Sequence, residues 1–247
     1  MSDQPRKLHA QRVRDLLSDV DDITHDDLGK AADLMLDAVS RGGLIYAAGA
    51  GHSLAMVCET FYRAGGLAAV RPLWHPSVLP LSSALGSSIA ERKAGLGYDV
   101  VNEAAPRKPD VAIVFSTSGS NPYPVEVAIA CAGRGVPVIA VTSRQASEKA
   151  ALRTSTRLSD HAVVVLDTAV PPGDVIYPRE GPRTAAVSTI AAAYLWSQLL
   201  VELDIQAARS GVKLPRWVSA NTDQGDEANA SLMEHYSRLV PELGAPA

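Results

Sequence analysis

Ser116-Thr117-Ser118-Gly119-Ser120-Asn121 places four hydroxyls, a glycine and an amide between an apolar run and a segment opened by Pro122. Hydroxyls are neutral hydrogen-bond donors, and free backbone N–H groups at a helix start favour an anion. The cluster suits a phosphate monoester such as a sugar phosphate; the alternative is that Ser and Asn simply cap the helix. No Lys follows in the manner of a triphosphate-binding loop, which argues against a nucleoside triphosphate. A second loop, Gly49-Ala50-Gly51-His52-Ser53, begins like a dinucleotide fingerprint, but Leu54 stands where the third glycine falls. The run 67–73 carries Arg71 and Pro72 where a ribose-binding carboxylate belongs, so NAD is disfavoured and no cofactor is expected. The glycines, Gly51 among them, let the backbone approach a sugar or phosphate, with Ser53 donating a hydrogen bond.

Acid–base groups lie close to these loops. Glu59 and Arg63 are four residues apart on one helical face, which reads equally as an exposed ion pair or as a site pair. As a site residue, Glu59 is the general base that moving a proton between two sugar carbons requires, and His52 is the placed partner for the oxygens. Glu91 is the reserve base, in a stretch (74–98) that reads either as a site-lining insertion or as a surface loop with one helix. His9, His25 and His235 fall in polar helices and His161 before a strand, so they read as solvated or structural. No HxxxH, HExxH or CxxC spacing occurs, so no metal site is expected, and no Gly-x-Ser-x-Gly elbow marks a hydrolase nucleophile.

The elements that must position these residues follow from periodicity. Residues 8–40 read as two helices broken within 19–27, with Thr24 or Asp26 as the second N-cap. Strands are predicted at 44–48, 67–73, 111–115, 136–141 and 162–166. Helices are predicted over 54–64, 122–133, 185–208 and 226–239, with a further one at 89–94. Strands alternating with helices imply right-handed βαβ units and a mainly parallel sheet, whose ligands bind beyond the strands' carboxyl ends. Both polar loops lie at such ends. The expected division is N-terminal helices over 1–40 packing on the core or a partner, a sheet domain over 41–210, and a tail with a short helix over 211–247.

The 247 residues are 47% hydrophobic and 20% charged, an ordinary globular balance. With 23 Lys and Arg against 27 Asp and Glu the net charge is −4, which lacks the basic surplus nucleic-acid binding needs. The most apolar later stretch, 185–203, is interrupted by Ser188, Thr189, Ser197, Gln198 and Glu202, so no membrane span is expected. Cys58 and Cys131 read as two reduced, buried thiols in a cytoplasmic protein.

Leu44-Ile45-Tyr46-Ala47-Ala48-Gly49-Ala50-Gly51-His52-Ser53 and Val111-Ala112-Ile113-Val114-Phe115-Ser116-Thr117-Ser118-Gly119-Ser120-Asn121-Pro122 resemble the sugar isomerase (SIS) domain family of phosphosugar isomerases and phosphosugar-binding proteins. The resemblance spans roughly residues 30–210, and the segment 219–229 is similar to an uncharacterised subgroup resembling phosphoheptose isomerases. It implies an α/β three-layer sandwich around a five-stranded parallel, flavodoxin-like sheet, and a homodimer or homotetramer with sites near subunit interfaces. It further implies that Ser53, Ser116, Ser118 and Ser120 contact a phosphosugar, supported by Thr117; Asn121, in the same loop, is expected to bind substrate as well. Two features depart from the phosphoheptose isomerases. Where they carry a catalytic Glu ten residues beyond the position of Ser53, this chain has Arg63, and its late helix contains no His. Three functions stay open on these grounds: an aldose–ketose isomerase, a non-catalytic phosphosugar sensor, and a lyase using the same proton abstraction.

Overall fold

The structure is a computed structural model that describes residues 4–222 and 225–244. Five short apolar runs form strands β1 (Ile45–Gly49), β2 (Val70–Leu73), β3 (Val111–Phe115), β4 (Val138–Thr142) and β5 (Val164–Asp167). β1, β3 and β4 are buried along their whole length, as continuous apolar runs must be in a sheet covered on both faces. The strands pair in parallel in the order β2-β1-β3-β4-β5. Helices α1 (Gln4–Ser40), α2 (Leu54–Thr60) and α7 (Ser188–Ser210) pack together against the sheet, while α4 (Leu96–Ala104) and α5 (Pro122–Gly133) form a second helical layer. This is the three-layer α/β sandwich with a five-stranded parallel flavodoxin-like sheet that the sequence implied.

The reversal of strand order falls between β1 and β3, which run in register from Ile45 against Val111 to Gly49 against Phe115. Their carboxyl ends therefore deliver residues 50–53 and 116–121 side by side at the switch point where ligands bind in such sheets. Gly49 is required there, because a Cβ on it would meet the Ser53 carbonyl oxygen at 2.7 Å.

Several boundaries differ from expectation. The N-terminal region is one continuous helix rather than two. Leu16, Val20, Thr24, Ala31, Met35 and Ala38 are all buried, so a single stripe continues straight through 19–27. Thr24 is no N-cap: 1% exposed, it donates its hydroxyl to the Val20 carbonyl oxygen at 2.6 Å. The acidic run instead serves α7, since Asp21 accepts from the Tyr194 hydroxyl at 2.7 Å. The helix after the first loop stops at Thr60, and Leu67 bridges antiparallel to Arg216 rather than joining β2. In 74–98 the helix is α3 (Ala84–Ala90), earlier than 89–94, and α4 follows it unforeseen. Two further unpredicted elements are α6 (Arg144–Lys149) and a hairpin of β6 (Val175–Tyr177) with β7 (Thr184–Ala186). The hairpin delays the start of α7 from 185 to Ser188. The tail helix α8 covers Gly225–Tyr236 and stops short of 239. Cys131 is buried as expected, which pushes its thiol up to about 12, whereas Cys58 is exposed, off the face of α2 that buries Leu54, Met56, Val57 and Thr60. Among the described residues no helix is long and apolar enough to cross a membrane.

A buried carboxylate ties the second layer together. Glu126 of α5, 6% exposed, accepts from the Gly95 amide at 2.8 and 2.9 Å and from the Gly97 amide at 3.0 Å, capping α4 from its neighbour. Glu126→Ala strands both amides and is expected to lower stability by about 2–3 kcal/mol in urea denaturation; a loss below about 0.5 kcal/mol contradicts the role.

Candidate functional site

The two strand-end loops form one side of a cleft of about 550 Å³. Gly51, His52 and Ser53 come from the β1 side and Ser116, Thr117, Ser118 and Asn121 from the β3 side. The opposite walls are α3 with Ser87, Ser88 and Glu91, α6 with Ala146 and Lys149, and the segment 171–174 with Ser188. The 74–98 stretch is thus a site-lining insertion.

The serine loop is held from behind. Ser116 Oγ accepts from the Gly119 amide at 3.2 Å, closing a turn in which Gly119 adopts a φ of +56°. The Thr117 carbonyl oxygen accepts from the Ser143 amide at 3.1 Å and the Thr142 hydroxyl at 3.2 Å. The Gly119 carbonyl oxygen accepts from the Leu158 amide at 2.9 Å. With these carbonyls engaged, the Thr117 and Ser118 amides have no partner among the described residues and are left for a ligand. Ser120 does not line the cleft. It is 0% exposed and donates its hydroxyl to Ser118 Oγ at 3.2 Å, so it orients Ser118 from below.

The start of α5 differs from the expected anion-binding helix terminus. Pro122 and Pro124 have no N–H, and the intervening Tyr123 amide donates to the Glu91 carbonyl oxygen at 3.1 Å. The first turn therefore presents no free amide. Its one donor instead pins the end of α3, which carries Glu91, against the serine loop.

That bond holds Glu91 at the cleft. Glu91 Oε2 lies 3.6 Å from where a Cβ on Gly51 would sit, so the carboxylate closes on the glycine backbone of the first loop. Burial raises the Glu91 carboxyl above its ordinary range, against the opposing pull of Arg92, Arg153 and the Asn121 side chain. Arg153 is held to Asn121 Oδ1 at 2.8 Å.

Across the cleft, Asp174 holds the start of α7. Its carboxylate accepts from the Val187 and Ser188 amides at 3.0 and 2.7 Å and from the Ser188 hydroxyl at 2.7 Å. Asp174 has a φ of +67° at this position, an uncommon conformation for a non-glycine residue. Beneath the cleft, Thr168 Oγ1 is buried without a hydrogen-bond partner among the described residues, on a small chamber of about 20 Å³ shared with His52, Ser116 and Ser188. Among the described residues no three His, Cys, Asp or Glu side chains converge as a metal-binding group.

The SIS domain profile matches residues 9–143, more than half of the chain. The chain belongs to the SIS-domain family. Relatives include UPF0309 proteins of Listeria innocua, 33% identical over 93% of this chain and 94% of that protein, and of Streptomyces coelicolor, 34% identical over 97% of this chain and 98% of that protein. Similar structures include the phosphoheptose isomerase GmhA of Neisseria gonorrhoeae, with a TM-score of 0.56 at 24% identity over 82% of this chain and 98% of that one. A phosphoheptose isomerase of Francisella tularensis gives 0.53 at 14% identity over 83% of this chain and all of that one. At these identities the likeness is one of fold.

Within this SIS domain most of the residues singled out in the sequence line the cleft, whereas the two candidate carboxylates part company. Glu59 does not line the cleft. It faces outward from α2 and pairs with Arg63 at 2.8 Å, an exposed contact worth little to stability. Glu91 occupies the cleft instead, because α3 folds over the serine loop. Lys149, Asp174 and Ser188 were missed: α6 is too short to show a periodic pattern, and the Asp174 cap spans fourteen residues from Asp174 to Ser188.

A raised carboxyl pKa means the folded state disfavours charged Glu91. Its contribution is complete below the unfolded pKa and is lost as pH rises through the folded value. Glu91→Gln escapes that loss, so its melting midpoint should gain on the parent protein on going from about pH 4 to about pH 7. Equal differences at both pH values in thermal melts would contradict a desolvated carboxylate.

Proposed function

We propose that this SIS domain is a phosphosugar aldose–ketose isomerase, with Glu91 as the general base. The carrying observation is one half-buried carboxylate of raised pKa facing the same cleft as the hydroxyl-rich loop. In this reading Ser116, Thr117, Ser118 and Asn121 receive the sugar phosphate, together with Gly51 and Ser53. Ser120 acts through Ser118.

The chemistry then needs little more than proton transfer. Glu91 takes the proton from C2 of the open-chain aldose, leaving an enediolate whose negative charge sits on the former carbonyl oxygen. Returning that proton to C1, while a hydroxyl proton passes from O2 to O1, yields the ketose with no net change in atoms. His52, exposed at the cleft rim, is placed to assist ring opening and the oxygen-to-oxygen transfer. The raised Glu91 pKa brings the base closer to neutrality, where proton abstraction is most effective. We further propose a cytoplasmic homodimer or homotetramer. The free thiols Cys58 and Cys131 suit a reducing compartment, and the exposed Ile190, Val201 and Ile205 of α7 offer apolar surface to a second copy.

The test is incubation with a panel of sugar phosphates in D₂O, following the C1 and C2 protons by NMR. Isomerase chemistry predicts deuterium incorporation with a new aldose or ketose signal. Exchange with loss of a substituent would make the protein a lyase, and line broadening without exchange would make it a sensor. Glu91→Gln should lower turnover by roughly 10²–10⁴-fold while sparing binding; unchanged turnover removes Glu91 from the mechanism. A second check uses pH. The acid limb of kcat/KM should follow deprotonation of Glu91, and Arg153→Ala, which removes a cation favouring the carboxylate, should move that limb to higher pH. A limb that stays in place or moves down rules the assignment out.

A further inference from the structure

We propose that Lys149 supplies the positive charge that holds the phosphate, making the cleft selective for a monoester dianion over a neutral sugar. The proposal rests on the phosphosugar reading above and names the group that would recognise the ligand's charge.

Three observations on the molecule lead there. The cleft contains two carboxylates, Glu91 and Asp174, and α5 offers no free amide in its first turn. A dianion among these carboxylates, met only by hydroxyls and two loop amides, would experience uncompensated repulsion. A compensating cation is needed, and among the described residues lining the cleft Lys149 is the one Lys or Arg.

Lys149 is also placed and unengaged. Residues 146, 149 and 150 line the cleft at helical spacing, so one face of α6 looks into it. α6 is fastened to the serine loop. The Ser143 amide donates to the Thr117 carbonyl oxygen, while Ser143 Oγ accepts from the Ala146 amide at 3.1 Å and donates to Val170 at 2.6 Å. The neighbouring cations are occupied: Arg144 faces Asp167 at 3.8 Å, Arg153 bonds Asn121, and Arg157 reaches Ser147 Oγ and the Ala150 carbonyl oxygen. Lys149 has no hydrogen bond or ion pair among the described residues. An ammonium on a flexible stem, lining the same cleft as a loop of hydroxyls, is suited to meet a phosphate as a point charge. The phosphate then sits between the serine loop and α6, leaving the sugar carbons toward Gly51 and Glu91.

The experiment titrates the full-length protein with inorganic phosphate by calorimetry at fixed ionic strength, for the parent chain, Lys149→Ala, Lys149→Arg and Glu91→Gln. Lys149→Ala should weaken phosphate binding roughly tenfold to a hundredfold. Lys149→Arg should restore most of the affinity, and Glu91→Gln should bind at least as tightly as the parent. Because Lys149 is exposed and unpaired, its variants should melt with the parent, so lost affinity is not lost fold. Lys149→Ala with parental affinity overturns this proposal alone. A parent chain that binds no phosphate, while the D₂O panel shows exchange only on unphosphorylated sugars, overturns both this proposal and the phosphosugar reading.

Discussion

Parallel pairing of β1 with β3 is the constraint on which the site depends. In-register hydrogen bonding from Ile45 against Val111 to Gly49 against Phe115 makes the two strands end together. Strand order reverses between them, so the chain leaves to opposite sides and a crevice opens where the two loops part. A one-residue slip would separate the loops and turn every buried side chain of a strand to the other face. Because β1, β3 and β4 are buried on both faces, such a slip would exchange side chains between two close-packed layers, and the misfit of their sizes opposes it.

Polar contacts then shape the crevice from behind. The serine loop directs its carbonyls to Ser143, Thr142 and Leu158, an arrangement that releases amides and hydroxyls on the other side. The two prolines of α5 remove donors that a helix start normally offers, and Tyr123 spends the remaining one on the backbone of Glu91. The free donors therefore lie in the loop rather than at the helix terminus, and α3 is drawn over the cleft with Glu91 at its end. The same contact that uses the last amide of the helix start holds Glu91 at the cleft.

The protein shares its fold with phosphoheptose isomerases. Arg63 stands ten residues beyond Ser53 and is spent on an exposed pair with Glu59. α7 opens on Ser188, whose hydroxyl and amide are held by Asp174. The cleft therefore combines Glu91, Asp174, His52 and Lys149 drawn from four separate segments around the two strand ends.

The strands and the two strand-end loops were legible in the sequence because continuous apolar runs and glycine- or serine-rich breaks are local signals. Gly51, His52, Ser53, Ser116, Thr117, Ser118 and Asn121 could be read as cleft residues for that reason. The break anticipated near Thr24 failed because a polar residue can keep helical register by donating to its own backbone, as Thr24 does to Val20. Ser120 and Ser118 are indistinguishable by type, and only packing decides that one hydroxyl is buried and the other faces the cleft. Glu59 and Glu91 are equally indistinguishable by type, and only the fold decides that Glu91 lines the cleft while Glu59 pairs with Arg63. By itself the sequence determined the sheet, its switch point and the hydroxyl-rich loop, since these depend on hydrophobic pattern and backbone permissiveness. Tertiary structure alone decided which carboxylate and which lysine share the cleft, because bonds between residues distant in sequence, such as Tyr123 to Glu91 and Ser143 to Thr117, place them there.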